Sequence, residues 1–426
     1  MIELFPPKKL RGRIRIPGDK SLSHRGLILG ALAEGLTRLE NLSPGQDVAS
    51  TLHVLRRLGC SIERTGGTVL VKGKGVAGFE EPAAPLNCGN SGTTTRLLTG
   101  VLTTQPIFSV LTGDRSLSRR PMSRVVAPLE KMGARIWGRE HHSRLPLAIL
   151  GGTLHGTHHT LPVASAQVKT ALLLAGLRAE GETVVTEPAQ SRDHTERLFS
   201  WLGLPFQKNG HTVRIRPASV PGFSLNIPGD FSSAAYFLAL GTIHPNADIW
   251  IDRVNLNPTR TGFLQILQEM GALLEVEEIA SVPEPVGAVR VRSSQLKNLE
   301  VPADKIPNLI DELPLLAVVA TQAEGTLVVH GAAELRVKES DRIATLVKGL
   351  RKMGAAIEEF DDGFAVTGPT SLLGASVRSF GDHRIAMSLS VAALVAKGGT
   401  RLQGDRWVRI SYPAFFEDLK QLSEEK

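Results

Sequence analysis

The sequence predicts an α/β protein of two lobes, built from six βαβαββ-like units, three to a lobe. Three observations carry that prediction. One segment type recurs six times at nearly even spacing. A second helix type alternates with it and closes on glycine. A strand left over at the N-terminus answers one that is missing at the C-terminus. Repetition at a fixed period is the mark of stacked supersecondary units and outranks any single motif.

The first segment type is a short polar residue, an apolar helical run ending in small residues, a Gly or Pro turn, and a Thr/Val-rich strand. Its copies begin at Ser21, Asn90, Ser165, Asp230, Asp311 and Asp382, at intervals of 65 to 81 residues. All six starts are Ser, Asn or Asp, the side chains that best cap a helix N-terminus. The second helix type ends in Leu-x-x-(Leu/Met)-Gly: LRRLGCSI (55–62), LEKMGARI (129–136), LQEMGALL (267–274) and LRKMGAAI (350–357), with FSWLGLPF (199–206) a looser copy. Glycine fits the position after a helix because it adopts positive φ without a Cβ penalty. The sixth copy, FFEDLKQLSEEK, ends before its strand, and IELFPPKKLRGRIRI precedes the first helix. The N-terminal strand is therefore expected to complete the last unit. That divides the chain into one lobe of residues 19–228 and a second of 1–18 plus 229–426, crossing at Pro17-Gly18-Asp19 and Pro228-Gly229-Asp230.

Composition narrows the function. Of 426 residues, 42% are apolar and 21% charged, which describes a soluble protein with a full core. No apolar run approaches the roughly 18 residues of a membrane span. The N-terminus has neither a signal core nor the look of a transit peptide, so the chain reads as cytoplasmic. The net charge of +7 raises nucleic acid as a partner. Basic residues come in pairs at most, however, and aromatics are only 5%, too few for a stacking platform. Small anionic substrates fit better. Two cysteines exclude a disulfide framework. His155, His158 and His159, with His141 and His142 upstream, have no carboxylate or Cys at ligand spacing, so no metal is expected.

The helix starts hold the unusual side chains. Free N–H groups and the helix dipole make such ends anion sites. GDKSLSHRG places Lys20, Ser21 and Arg25 within about a turn and a half. NCGNSGTTTR is a stretch whose backbone can approach an anion closely. The third copy offers Ser165, Gln167 and Lys169, and the last two offer Asp311 and Arg384. GDRSLSRRPM (113–122) adds Arg119 and Arg120. LRVKESDR (335–342) adds Lys338, Glu339 and Arg342, with Lys338 and Arg342 facing the same way if the segment is helical. Singly, each has a plain structural reading, Asp311 as a cap among them. Together, at equivalent points of a repeat, they point to a site for anions.

PGDKSLSHRGLIL, NCGNSGTTTRLL, GDRSLSRRPM, SAQVKTALLLAGL, SRDHTERL, LRVKESDRI and GDHRIAM resemble, in order, the motifs of the 5-enolpyruvylshikimate-3-phosphate synthase family, over essentially the whole chain. The resemblance implies a two-lobed inside-out α/β barrel of six βαβαββ units. It implies transfer of the enolpyruvyl group of phosphoenolpyruvate to the 5-hydroxyl of shikimate 3-phosphate, with release of phosphate. It also implies a monomer and no cofactor. By resemblance, Lys20 touches both substrates, and Ser21, Arg25, Ser165, Gln167 and Arg192 bind shikimate 3-phosphate. Gly92 and Arg120 hold phosphoenolpyruvate, with Gln167 nearby. Asp311 and Lys338 meet the shikimate hydroxyls, and Arg342 and Arg384 the phosphoenolpyruvate anion.

Two substrates that each carry a phosphate and a carboxylate repel one another. Seven cations (Lys20, Arg25, Arg120, Arg192, Lys338, Arg342, Arg384) neutralise them, and fixing both reactants supplies much of the rate. Asp311 is the candidate general base. Glu339, with Lys20, is the candidate for protonating the methylene carbon; the sequence does not separate the two roles. Because the cations divide between the lobes, closure on the bound anions is expected. Ala166 stands where some relatives have Ser. Gly92 is retained, which predicts sensitivity to glyphosate. The rival within the fold is UDP-N-acetylglucosamine 1-carboxyvinyltransferase, whose loop cysteine is missing from GDRSLSRRPM. An RNA 3′-phosphate cyclase-like enzyme matches only the His383 of GDHR.

Overall fold

The computed structural model describes residues 1–424, which divide into two compact units, Gly18–Ile227 and Met1–Pro17 with the chain from Pro228 onward. Each unit is a threefold alternation of a buried helix and an amphipathic one. In Gly18–Ile227 these are α1 (Lys20–Leu32), α2 (Gln46–Arg57), α3 (Gly92–Leu102), α4 (Ser123–Lys131), α5 (Ala166–Gly176) and α6 (His194–Trp201). In the other unit they are α7 (Phe231–Ile243), α8 (Gly262–Glu269), α9 (Leu313–Ala320), α10 (Arg342–Lys352), α11 (His383–Ala393) and α12 (Phe415–Glu424). The odd-numbered helices are apolar or small on nearly every side and lie buried; α9, LPLLAVVA, is buried throughout. The even-numbered helices bury one stripe and leave most of their charges outside, with Asp47, Glu196 and Arg342 as buried exceptions. Each unit closes over its own apolar core.

The sheets repeat one plan. In four of the six copies the strand after the odd helix is flanked by a parallel neighbour on one side and by the antiparallel pair of its copy on the other. In the first unit these sheets run Ser224–Asn226, Leu36–Glu40, Thr68–Lys72, Ser61–Thr65; then Leu86–Asn87, Phe108–Thr112, Arg144–Leu150, Arg135–Gly138; then His158–Thr160, Thr183–Thr186, Thr212–Ile215, Phe206–Asn209. The second unit follows suit with Leu10–Arg15, Ala247–Asn255, Val286–Arg292, Leu273–Ala280. Two three-stranded sheets complete it: Gly325–Val329, Gly363–Gly368, Ala356–Phe360, and Ser376–Arg378, Thr400–Gln403, Ile2–Leu4.

The last sheet shows what the N-terminus does. Ile2–Leu4 pairs antiparallel with Thr400–Gln403, Ile2 opposite Leu402, where the other copies use their own third strand. The leftover segment is not one strand, however. Pro6 and Pro7, which lack N–H donors, end its first part, and Leu10–Arg15 joins a different sheet, parallel to Ala247–Asn255.

The helix ends refine the expected starts. Ser165, Asp230 and Asp382 cap α5, α7 and α11 through their side chains. In the first two copies the cap shifts: Asp19, not Ser21, accepts from the Leu22 N–H, and Ser91, not Asn90, accepts from the Thr94 N–H. The fifth start differs in kind. A short helix, Ile306–Leu309, precedes α9, the chain turns through 310–312, and α9 has no side-chain cap. Asp311 is thus released from the capping role the sequence allowed it. Each glycine closing the second helix type, Gly59, Gly133, Gly203, Gly271 and Gly354, has positive φ, between 68° and 97°. Among the described residues no helix is long and apolar enough to cross a membrane.

Candidate active site

In the unit Gly18–Ile227, the N-terminal turns of α1, α3 and α5 hold the expected residues. Lys20 Nζ donates to Asp47 Oδ2 of α2 at 3.0 Å. Arg25 is buried, its guanidinium spread by the Ser21 carbonyl (2.9 Å), Thr195 Oγ1 (2.8 Å) and Thr170 Oγ1 (2.9 Å). Arg120 Nη2 donates to Asn90 Oδ1 at 2.8 Å. A Cβ on Gly92 would lie 2.9 Å from Arg96 Nη1 and 3.2 Å from Arg120 Nη1, so the absent side chain leaves the space two guanidinium groups border. Arg96 Nη1 in turn donates to Gln167 Oε1 at 2.7 Å, and Gln167 Nε2 to Thr93 Oγ1 at 3.0 Å. Gly92, Arg120 and Gln167 are therefore one cluster, and Ser165 opens the helix that carries Gln167. Arg192 lies in the irregular segment before α6, half-buried, three residues from the Thr195 that holds Arg25.

Beneath α1 runs a buried relay. His24 Nδ1 and Thr51 Oγ1 are 2.7 Å apart, as are Thr51 Oγ1 and Thr94 Oγ1. Burial, with Lys20 and Arg25 beside it, pushes the His24 pKa well below 6.5, so the imidazole stays neutral.

In the other unit the centre is Asp311. Its Oδ1 lies 3.3 Å from Arg342 Nη1, and its Oδ2 is 3.3 Å from Arg384 Nη2 and 3.9 Å from Arg260 Nη1. Arg342 also pairs with Glu339 (2.6 Å) and Asp382 (2.8 Å). Glu312, the next residue after Asp311, is 3.6 Å from Arg384 and accepts from Ser232 Oγ, which itself accepts from Arg260. Burial alone would lower the pKa of Arg342 and Arg384; the surrounding carboxylates outweigh it and raise both, keeping them charged.

Two expectations need correction. Lys338 and Arg342 do not share a helix face: 333–337 is a 3₁₀ turn, Lys338 is extended, and α10 begins at Arg342 under an Asp341 cap, leaving Lys338 paired with Glu334 at 3.1 Å. Lys169 does not present its charge at the start of α5 but is buried between Glu187 and Glu196. His155 is paired with Glu180 at 3.3 Å, a carboxylate from a distant stretch of sequence and not one at ligand spacing. The sequence reading missed Asp47, Arg96, Arg260, Glu312 and Asp382. Asp382, inside GDHR, and Arg96, the last residue of NCGNSGTTTR, lay in motifs that could have revealed them. The cysteines are buried, and burial pushes Cys88 up to about 11 and Cys60 up to about 12, so both remain thiols.

Two units of alternating helices, with arginines at the helix starts, make up a fold shared with a solved enolpyruvyl transferase. The structure of the enolpyruvyl transferase NikO from Streptomyces tendae has this fold, with a TM-score of 0.81 at 18% identity over 99% of this chain and 96% of that one. Residues 4–419 match the EPSP synthase (3-phosphoshikimate 1-carboxyvinyltransferase) family, and the chain belongs to it. It is 51% identical to the 3-phosphoshikimate 1-carboxyvinyltransferase of Geobacillus kaustophilus (strain HTA426) over 97% of this chain and 98% of that protein. The EPSP synthase of Acinetobacter baumannii superposes with a TM-score of 0.88 at 42% identity, over 99% of this chain and 97% of that one.

Proposed function

We infer that this chain transfers the enolpyruvyl group of phosphoenolpyruvate to the 5-hydroxyl of shikimate 3-phosphate, giving 5-enolpyruvylshikimate 3-phosphate and phosphate. Family membership over nearly the full chain supports the reaction, and the carboxylate of Asp311 set among three arginines is the observation that supports the site.

Shikimate 3-phosphate is bound by Lys20, Ser21, Arg25, Ser165, Gln167 and Arg192, with Asp311 and Lys338 on its ring hydroxyls. Phosphoenolpyruvate is held by Gly92, Arg120, Arg342 and Arg384, with Lys20 and Gln167 close. An arriving carboxylate competes with Asp311 for Arg342 and Arg384. Loosening those ion pairs makes Asp311 a stronger base when its proton is to be taken from the 5-hydroxyl. The oxygen then bonds to the central carbon of phosphoenolpyruvate while its methylene carbon gains a proton, from Glu339 or Lys20. The product has its methylene restored, so the same carbon loses a proton as phosphate leaves. The arginines stabilise the phosphate that builds up charge on departure.

The test is phosphate release from phosphoenolpyruvate with shikimate 3-phosphate and, separately, with UDP-N-acetylglucosamine. Release with the first alone is expected; release with only the second overturns the assignment. The reading extends to a monomer acting in the cytoplasm without nucleic acid, checked by sedimentation. It also extends to inhibition by glyphosate, overturned by unchanged activity at millimolar inhibitor.

A further inference from the structure

Lys169 is a cation of the helix starts that the reaction does not use, and its surroundings explain why it is there. Its side chain is 1% exposed, with Nζ 2.6 Å from Glu187 Oε2 and 2.7 Å from Glu196 Oε1. Two carboxylates around one ammonium, all out of water, is a costly arrangement, and among the described residues Glu196 has only its contact with Lys169 to offset it. Glu187 uses both of its oxygens. Oε1 accepts the backbone N–H of Ser165 at 3.0 Å, and Oε2, besides Lys169, accepts the Ser191 hydroxyl at 2.9 Å. Ser165 is the cap of α5, and Ser191 is the residue before Arg192.

We propose that Glu187 is a positioning residue of the shikimate 3-phosphate subsite: one buried carboxylate fixes the start of α5, with Ser165 and Gln167, against the segment that carries Arg192. The inference rests on the assignment of Ser165, Gln167 and Arg192 to that substrate. Lys169 is the partner of that carboxylate, and Glu196 anchors the same side chain to α6. Arg25 is seated on that helix too, through Thr195, which lies 2.6 Å from Thr170 of α5. The network therefore sets three walls of one subsite without touching the ligand.

The experiment is steady-state kinetics of the full chain with Glu187→Gln, Ser191→Ala and Ser191→Thr, varying each substrate in turn. Glu187→Gln turns an amide NH₂ or a neutral oxygen toward Lys169 and Ser191. It is expected to raise KM for shikimate 3-phosphate roughly tenfold or more, with KM for phosphoenolpyruvate unchanged within about twofold. Ser191→Ala removes one hydrogen bond and leaves the buried charges alone, so it folds even if Glu187→Gln does not. Its expected rise is about three- to tenfold, again for shikimate 3-phosphate only, and Ser191→Thr restores most of it. A lowered melting temperature with unchanged KM in the folded variants overturns the proposal, as does an equal rise for both substrates. Wild-type protein that releases no phosphate with shikimate 3-phosphate overturns the substrate assignment, and the inference with it. Active wild type with a normal Ser191→Ala overturns the inference alone.

Discussion

The two units seat their arginines by different means. In Gly18–Ile227, Arg25, Arg96 and Arg120 donate to threonine hydroxyls, to the side-chain amides of Gln167 and Asn90, and to main-chain carbonyls. In the other unit Arg342 and Arg384 rest on carboxylates: Asp311, Glu312, Glu339 and Asp382. A neutral acceptor orients a guanidinium without cancelling its charge. A carboxylate does both, and an incoming anion must then trade places with it. If these residues bind the substrates as proposed, one unit receives anions and the other exchanges them, and the exchange reaches the candidate base.

The largest effect should come from breaking that exchange at its centre. Asp311→Asn keeps the shape and hydrogen-bonding capacity but cannot take a proton; kcat should fall by roughly 10²–10⁴ with substrate binding retained, measured as phosphate release against calorimetric binding. Activity within tenfold of wild type would remove Asp311 as base. The comparison itself is broken by paired substitutions. Arg342→Met leaves Asp382, fully buried, and Glu339 without their shared cation, a loss of about 3–5 kcal/mol in stability. Arg120→Ala removes a bond to an amide and should cost about 1 kcal/mol of stability, with the damage appearing instead as a raised KM for phosphoenolpyruvate. Equal melting-temperature shifts for the two would mean the seating makes no difference.

A smaller, pH-dependent effect belongs to the receiving unit. His24 is fully buried and neutral, its folded pKa depressed by burial and by Lys20 and Arg25. The unfolded chain binds a proton near pH 6.5 and the folded one does not. Stability from this group is therefore complete above 6.5 and is lost as pH falls from there toward the depressed folded value. The loss is at most about 1.4 kcal/mol per pH unit. His24→Asn, compared with wild type by melting temperature from neutral pH downward, should flatten that part of the slope. Parallel slopes would show that the imidazole takes up its proton in the fold as readily as in the unfolded chain.

Much of the architecture was legible because it repeats. The glycine after each second-type helix and the apolar run of each first-type helix are local signals, and six copies average out the faults of any one. Ends were less legible. Asp19 and Ser91 outcompete neighbours that are equally good caps, and a preceding helical turn takes Asp311 out of capping altogether. Partners were least legible. Arg260, Glu312 and Ser232 meet from three helix starts, and Lys169 meets Glu187 and Glu196 across two loops. A lysine four residues into a helix looks alike in sequence whether it reaches toward a substrate or into a buried ion pair. Packing decides, and packing has no period. The i, i+4 reading of Lys338 and Arg342 failed for a related reason: it assumed a helix where the chain makes a 3₁₀ turn and then extends.

The finest test sharpens the comparison through a single methyl group. Gly92→Ala puts a Cβ 2.9 Å from Arg96 Nη1 and 3.2 Å from Arg120 Nη1, both tighter than ordinary contact. Both are ends of flexible side chains, so the fold survives and the guanidinium groups move. Arg96 can retreat only by stretching its 2.7 Å bond to Gln167. A substitution aimed at phosphoenolpyruvate should therefore also be felt, more weakly, by shikimate 3-phosphate. A rise of roughly tenfold in KM for the first and about twofold for the second, at unchanged melting temperature, is the expected pattern. A rise confined to phosphoenolpyruvate would show that Arg120 alone gives way and that Arg96 does not link the two substrates.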